Sequence, residues 1–132
     1  MSVASLSVHD AGAFPLVRFR AEAMAPGYAA QWIEDMDRLL AAGERFVVLY
    51  PAGTHEETHE DRKQRGLWLR QHRDALSVLC LALVSVEPDA LEREAFRARI
   101  DGLGKAFGVR QAVAADDAEA GALARAYLAA GA

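Results

Sequence analysis

The chain has 132 residues, 52% of them hydrophobic and 26% charged, a composition that fits one globular domain and excludes a disordered or low-complexity protein. Fifteen basic against nineteen acidic residues give a net charge of −4, the wrong sign for binding that rests on a nucleic-acid backbone. No apolar run approaches the ~20 residues of a membrane helix, residues 1–10 lack the basic-then-apolar order of a secretory signal, and the single Cys80 excludes an internal disulfide and a cysteine-based zinc site, so a cytoplasmic protein without membrane insertion is expected.

Residues 3–9 place Val3, Leu6 and Val8 in a β-compatible run, and Asp10 to Ala13 supply turn residues. In residues 14–21, Val17 and Phe19 alternate with Arg18 and Arg20, which predicts a half-buried strand. The two runs read as an antiparallel hairpin. Pro26 and Gly27 then open a helix to about Ala42. Ala29, Trp32, Ile33, Met36 and Leu40 share its core face, and Gly43 stops it. Residues 45–50 are almost continuously apolar, as in a strand covered on both faces, and end at Pro51-Ala52-Gly53.

A second helix is predicted from about Thr54 to Leu76, followed by a buried strand over residues 78–86. Glu87-Pro88-Asp89 starts the next helix, whose apolar stripe is Phe96, Ile100, Leu103 and Phe107, and Gly108 ends it. Residues 109–115 form the last strand. Asp116 caps a final helix to about Ala130, with Leu123, Tyr127 and Leu128 facing inward. Strands alternating with helices imply parallel pairing and right-handed crossovers. The expected fold class is α/β: a five-stranded mixed sheet, an N-terminal antiparallel hairpin followed by parallel β-α units, flanked by four helices.

One stretch invites a chemical reading. His55-Glu56-Glu57-Thr58-His59 matches H-E-x-x-H, in which two histidines on one helical face bind zinc and the glutamate serves as general base. That pattern defines the alternative function, a metal-dependent hydrolase using His55, Glu56 and His59. Residues 55–65 contain no apolar side chain, whereas a catalytic zinc helix is flanked by groups that exclude water. The favoured reading is the solvated start of a helix. Thr54 and Glu57 then form a capping box, the acids lie near the positive helix end, and Asp61–Arg65 is a favourable pair.

Other chemistry-bearing residues are sparse. His72 lies one turn after Trp68, either lining a pocket beside the indole or marking the edge of the core. Cys80 is placed mid-strand, where a thiol is an inert small hydrophobe. Ser77, His72 and Asp74 lack a G-x-S-x-G elbow to aim the serine. No catalytic set and no cofactor is implied. In open α/β sheets ligands bind beyond the carboxyl ends of the parallel strands. Tyr50, Thr54, His55 and Glu87 therefore lead the candidates for ligand contact, with Trp68 and His72 behind them.

The element order, together with Trp68-Leu-Arg-Gln-His-Arg-Asp-Ala-Leu76 feeding Leu79-Cys-Leu-Ala-Leu-Val84, and the ending Ala114-Ala-Asp-Asp-Ala-Glu-Ala-Gly-Ala before Leu123 and Tyr127, resembles the STAS-like (SpoIIAA-like) family of small bacterial domains. The resemblance spans nearly the whole chain and implies a single STAS-like domain over residues 1–132. It implies a non-enzymatic role, as a regulatory partner of another protein or a binder of a small apolar or nucleotide ligand. Phosphorylatable members carry an Asp-Ser pair after a central strand. Here Thr54 is the only hydroxyl at the matching place, and no aspartate precedes it. A homodimer is a further expectation, with Ala122, Ala126 and Ala129 of the last helix allowing close packing.

Overall fold

The computed structural model describes residues 6–52 and 57–131. In chain order its elements are β1 (His9–Ala13), β2 (Leu16–Phe19), a short 3-10 turn (Ala21–Ala23), α1 (Ala29–Ala42), β3 (Phe46–Tyr50), α2 (His59–Gln71), α3 (Arg73–Leu79), β4 (Cys80–Val86), α4 (Ala90–Phe107), β5 (Gln111–Ala114) and α5 (Asp117–Gly131). The five strands lie side by side in sequence order. β1 and β2 are antiparallel, and every later pair is parallel. The expected α/β mixed sheet is present, with five helices rather than four. Among the described residues no helix is long and apolar enough to cross a membrane.

Two boundaries moved for identifiable reasons. The hairpin reverses at Phe14-Pro15: of the described residues of the first predicted strand (residues 3–9) only His9 is in β1, and Asp10 to Ala13, read as the turn, make up the rest of it. Asp10 and Gly12 do mark irregular backbone. The Asp10 carboxylate accepts the Gly12 N–H at 2.8 Å, and the pairing register slips between Asp10 and Ala13. The turn-favouring residues make a bulge inside the strand instead of its end. The second shift is at His72, which breaks the predicted single helix into α2 and α3. Its backbone leaves helical geometry (φ −106°, ψ 19°), and its Nδ1 lies 2.9 Å from the Trp68 carbonyl oxygen. The chain stays helical through Leu79, so β4 begins at Cys80, and Val78 is 63% exposed on the outside of α3.

Each face of the sheet has its own core. On one, Val17, Phe19, Phe46, Val48 and Leu83 pack with Trp32, Met36 and Leu39 of α1 and with Trp68, Leu69 and Leu76 of α2 and α3. Leu16, Val47, Leu49 and Val84 point the other way, as the two-residue period of a strand requires. There they meet α5 through alanines: Ala82, Ala112 and Ala114 on the strands and Ala120 and Ala124 on the helix. Small residues on both surfaces let α5 lie close to the sheet and cover that face alone. The alternation read for residues 14–21 is present: Val17 and Phe19 are buried in one core, and of the two arginines set on the other face Arg20 is exposed and Arg18 is half-exposed beside Asp117 of α5.

Gly43 and Gly108 follow α1 and α4 in left-handed backbone, at φ 71° and 69°. Only glycine reaches this conformation without strain. A Cβ at Gly43 would enter open space, whereas one at Gly108 would collide with the Arg73 side chain and backbone. Gly43→Ala is therefore expected to cost about 1 kcal/mol, the backbone effect alone. Gly108→Ala is expected to cost clearly more. Urea unfolding of the two variants side by side measures the difference, and equal losses would remove the steric reading.

Candidate ligand-binding cleft

The start of α2 flanks the site. Its N-cap is Thr58, in extended backbone (φ −77°, ψ 163°), whose hydroxyl oxygen accepts the Asp61 N–H at 3.1 Å. The capping box is thus Thr58 with Asp61, four residues later than expected. The Thr58 hydroxyl in turn donates to the Asp61 carboxylate at 2.8 Å. The same carboxylate accepts the Gly27 N–H at 2.8 Å and the Ala29 N–H at 3.2 Å, so it also caps α1. Burial alone would raise its pKa, but the hydrogen bonds from Gly27, Thr58 and Ala29 outweigh burial and hold the group below the usual carboxylate range.

The reading of residues 55–65 as a solvated face needs correction for this reason. His59, Glu60, Arg62, Lys63 and Gln64 are exposed, but Asp61 is buried at 3% exposure, and Glu57 and Arg65 turn inward. The expected Asp61–Arg65 pair gives way to two other attachments. Arg65 Nε donates to Glu57 at 2.5 Å, and its guanidinium lies 5.5 Å from the centre of the Trp32 ring. A stem that lies along apolar surface while its head finds a carboxylate is the usual way an arginine is partly buried. Glu57 also accepts the Tyr28 hydroxyl at 2.5 Å and Arg62 Nε at 3.3 Å. Burial would raise the Glu57 carboxyl, but bonds from Arg65 and Tyr28 and the Arg65 charge hold it low. Burial pushes the Tyr28 and Tyr50 phenols up. Tyr50 joins the cluster by accepting the Trp32 indole N–H at 3.1 Å.

Beside this cluster, between α2 and α4, is a cleft with a cavity volume of about 460 Å³. Leu83 and Ser85, two residues apart on β4, line its floor, Arg62, Arg65 and Leu69 one wall, and Arg99, Leu103 and Phe107 the other. A second hollow of about 610 Å³ continues it toward the carboxyl ends of the strands, sharing Arg62, Ser85, Phe96 and Arg99 and adding Glu87 and Val86. The cleft explains an oddity of α4. This 18-residue helix has no buried residue, although Phe96, Ile100, Leu103 and Phe107 form the predicted inward stripe. The stripe faces the sheet side as expected, but Phe96, Leu103 and Phe107 line open space there.

The expected site residues divide into three groups. Tyr50 and Glu87 line the cleft and its continuation. Trp68 belongs to the core beside α1, buried against Trp32 edge-on at 5.3 Å and donating to Asp37 at 2.9 Å, and His72, half-exposed at the edge of that core, stacks on it at 4.2 Å. Thr54, His55 and Glu56 lie outside the described residues. The helix carrying His59 begins at that residue, and the rest of the alternative set, His55 and Glu56, is not among the described residues. Among the described residues no group of three histidine, cysteine or acidic side chains is placed to hold a metal. Cys80 is buried, and burial pushes its thiol up to about 12, which keeps it protonated and unreactive at neutral pH. Ala122, Ala126 and Ala129 of α5 are exposed. The arginines 62, 65 and 99 were not anticipated. The signal that finds them is spacing: Arg62, Arg65 and Leu69 recur at helical intervals, as do Phe96, Arg99, Leu103 and Phe107. No family model, curated protein or solved structure matches the chain.

Proposed function

We propose that this chain is a non-enzymatic module that binds a small ligand in the cleft between α2 and α4, in keeping with its resemblance to STAS-like domains. The observation that carries this reading is the half-buried apolar stripe of α4 bordering a cavity of ligand size that runs over β4 and continues into a hollow at the strand carboxyl ends. An apolar wall that stays partly wet in the free protein gains roughly 25 cal/mol per Å² when a ligand covers it. The ionisable groups around the cleft support binding over catalysis. Glu57 is held ionised by three donors, which makes it a poor base, and arginine does not give up its proton at any working pH.

Nile red, a neutral apolar dye, serves as the probe. Its fluorescence is expected to rise and saturate at one site per chain. Leu103→Trp, which fills the cleft from the α4 side, is expected to abolish the rise while leaving the circular dichroism and the melting temperature near those of the parent. Undiminished saturable binding to a folded Leu103→Trp variant would overturn the assignment of the cleft.

A further inference from the structure

We infer that the ligand of this cleft is an organic anion with an elongated apolar body, its charged end held by Arg62 and Arg99; the inference rests on the α2–α4 reading above. α2 and α4 both sit within crossovers between parallel strands, so both run against the strands and start near the strand carboxyl ends. On each helix a cation precedes the inner apolar residues: Arg62 and Arg65 come before Leu69, and Arg99, with Phe96 on its outer side, comes before Leu103 and Phe107. Because the helices run the same way, the two gradients align. The charged ends meet Ser85, where the cleft opens into the hollow beyond the strands, and the apolar ends close over Leu83.

The charges inside this cleft do not balance. Among the described residues three arginines line it against one carboxylate, Glu57, and that carboxylate is already engaged by Arg65, Arg62 and the Tyr28 hydroxyl. Among the described residues Arg99 has a ring contact with Phe96, at 5.7 Å, and no carboxylate partner is seen for it. The acids of the outer hollow, Glu87, Asp89 and Glu92, lie toward the start of α4. Glu87 accepts the Asp89 N–H at 3.1 Å, and Asp89 accepts the Glu92 N–H at 2.8 Å, so two of them are tied to the backbone there. Arg62, Arg99 and Ser85 line both the cleft and the hollow, whereas these acids line the hollow alone, so a carboxylate drawn into the cleft at Ser85 stays with the arginines. A guanidinium suits such a group because its planar fork offers two parallel donors.

Three probes of equal chain length separate the head from the tail: decanoate, decanol and decyltrimethylammonium, each titrated by calorimetry below its micelle-forming concentration. Decanoate is expected to bind at one site, at least about tenfold more tightly than decanol, the worth of one charge-assisted hydrogen bond, and decyltrimethylammonium more weakly still. Arg99→Gln and Arg62→Gln are each expected to reduce decanoate affinity several-fold and leave decanol unchanged. Decanol binding as tightly as decanoate, or the cation binding best, would overturn the charge assignment while the cleft itself stands. Failure of every probe, together with Nile red binding that ignores Leu103→Trp, would remove the binding cleft as well.

Discussion

Replacing Asp61 by alanine is expected to destabilise the protein by about 3 kcal/mol or more and to lower its melting temperature by about 10 °C. The carboxylate accepts from the Gly27 and Ala29 amides and the Thr58 hydroxyl at a site 3% exposed. Each charge-assisted bond is worth about 1.5–3 kcal/mol, and a buried donor left without its acceptor costs about 1–3 kcal/mol more. Asp61→Asn does not restore the site. One of its two positions is an NH₂, which faces donors where the carboxylate oxygen faced them. Exposed acids on the same helix provide the control: Glu60→Ala removes a contact with Gln64 at the surface and is expected to change stability by less than about 0.5 kcal/mol. A melting temperature for Asp61→Ala within a degree or two of the parent would show that the joint between α1 and α2 is not held as described.

The second large effect is expected at Asp35. Both oxygens of this residue, 1% exposed on α1, are used: Oδ1 accepts the Ser7 N–H at 2.8 Å, and Oδ2 accepts the Val8 N–H and faces His9 Nδ1, each at 2.8 Å. Asp35→Ala leaves two amides and an imidazole facing an apolar gap, with an expected loss of about 3–5 kcal/mol, the range for breaking a buried pair from one side. His9→Phe is expected to cost less. Asp35 keeps its backbone donors in that variant, and the ring that is removed had a buried Nε2 without a partner among the described residues. The order Asp35→Ala worse than His9→Phe, read by urea unfolding, is the check; the reverse order would place the anchor on the wrong residue.

The same carboxylates set the response to acid. Burial would raise the pKa of Asp35, but bonds from His9, Ser7 and Val8 hold it below the usual range, and Glu57 and Asp61 are lowered for the like reason. A carboxylate whose folded pKa lies below its unfolded value stabilises the fold in full above the unfolded pKa, about 4. That contribution disappears as pH falls through the folded values. Stability is therefore expected to decline below about pH 4, and Asp35→Ala to show a shallower decline than the parent.

Much of the fold was legible in the chain because its strands and helices carry their periods openly. Val17 and Phe19 alternate, residues 46–49 are buried without interruption, and glycines 43 and 108 stop their helices. The cleft was half legible. Topology points to the hollow at the strand carboxyl ends, which Glu87 lines, and not to the cleft over β4 that this hollow continues, which Tyr50 borders. Arg62 and Arg65 were not legible, because residues 55–65 read as a wet surface. Nothing in that string distinguishes Asp61, which is buried, from Glu60, which is exposed. The distinction is made by Gly27 and Ala29, more than thirty residues upstream, whose free helix-end amides draw one carboxylate inward. His72 likewise looked like a helix interior residue, and only its contact with the Trp68 carbonyl shows why the helix ends there. Local pattern fixes period and punctuation. Which polar side chain turns inward depends on backbone groups that only the assembled fold brings near.

The most direct test of a ligand in the cleft is a map of amide chemical shifts on isotopically labelled protein titrated with decanoate. The largest saturable changes are expected at Arg62, Leu69, Leu83, Ser85, Arg99 and Leu103, with α5 on the opposite face silent. Changes scattered evenly over both faces, or centred on α5, would contradict the assignment.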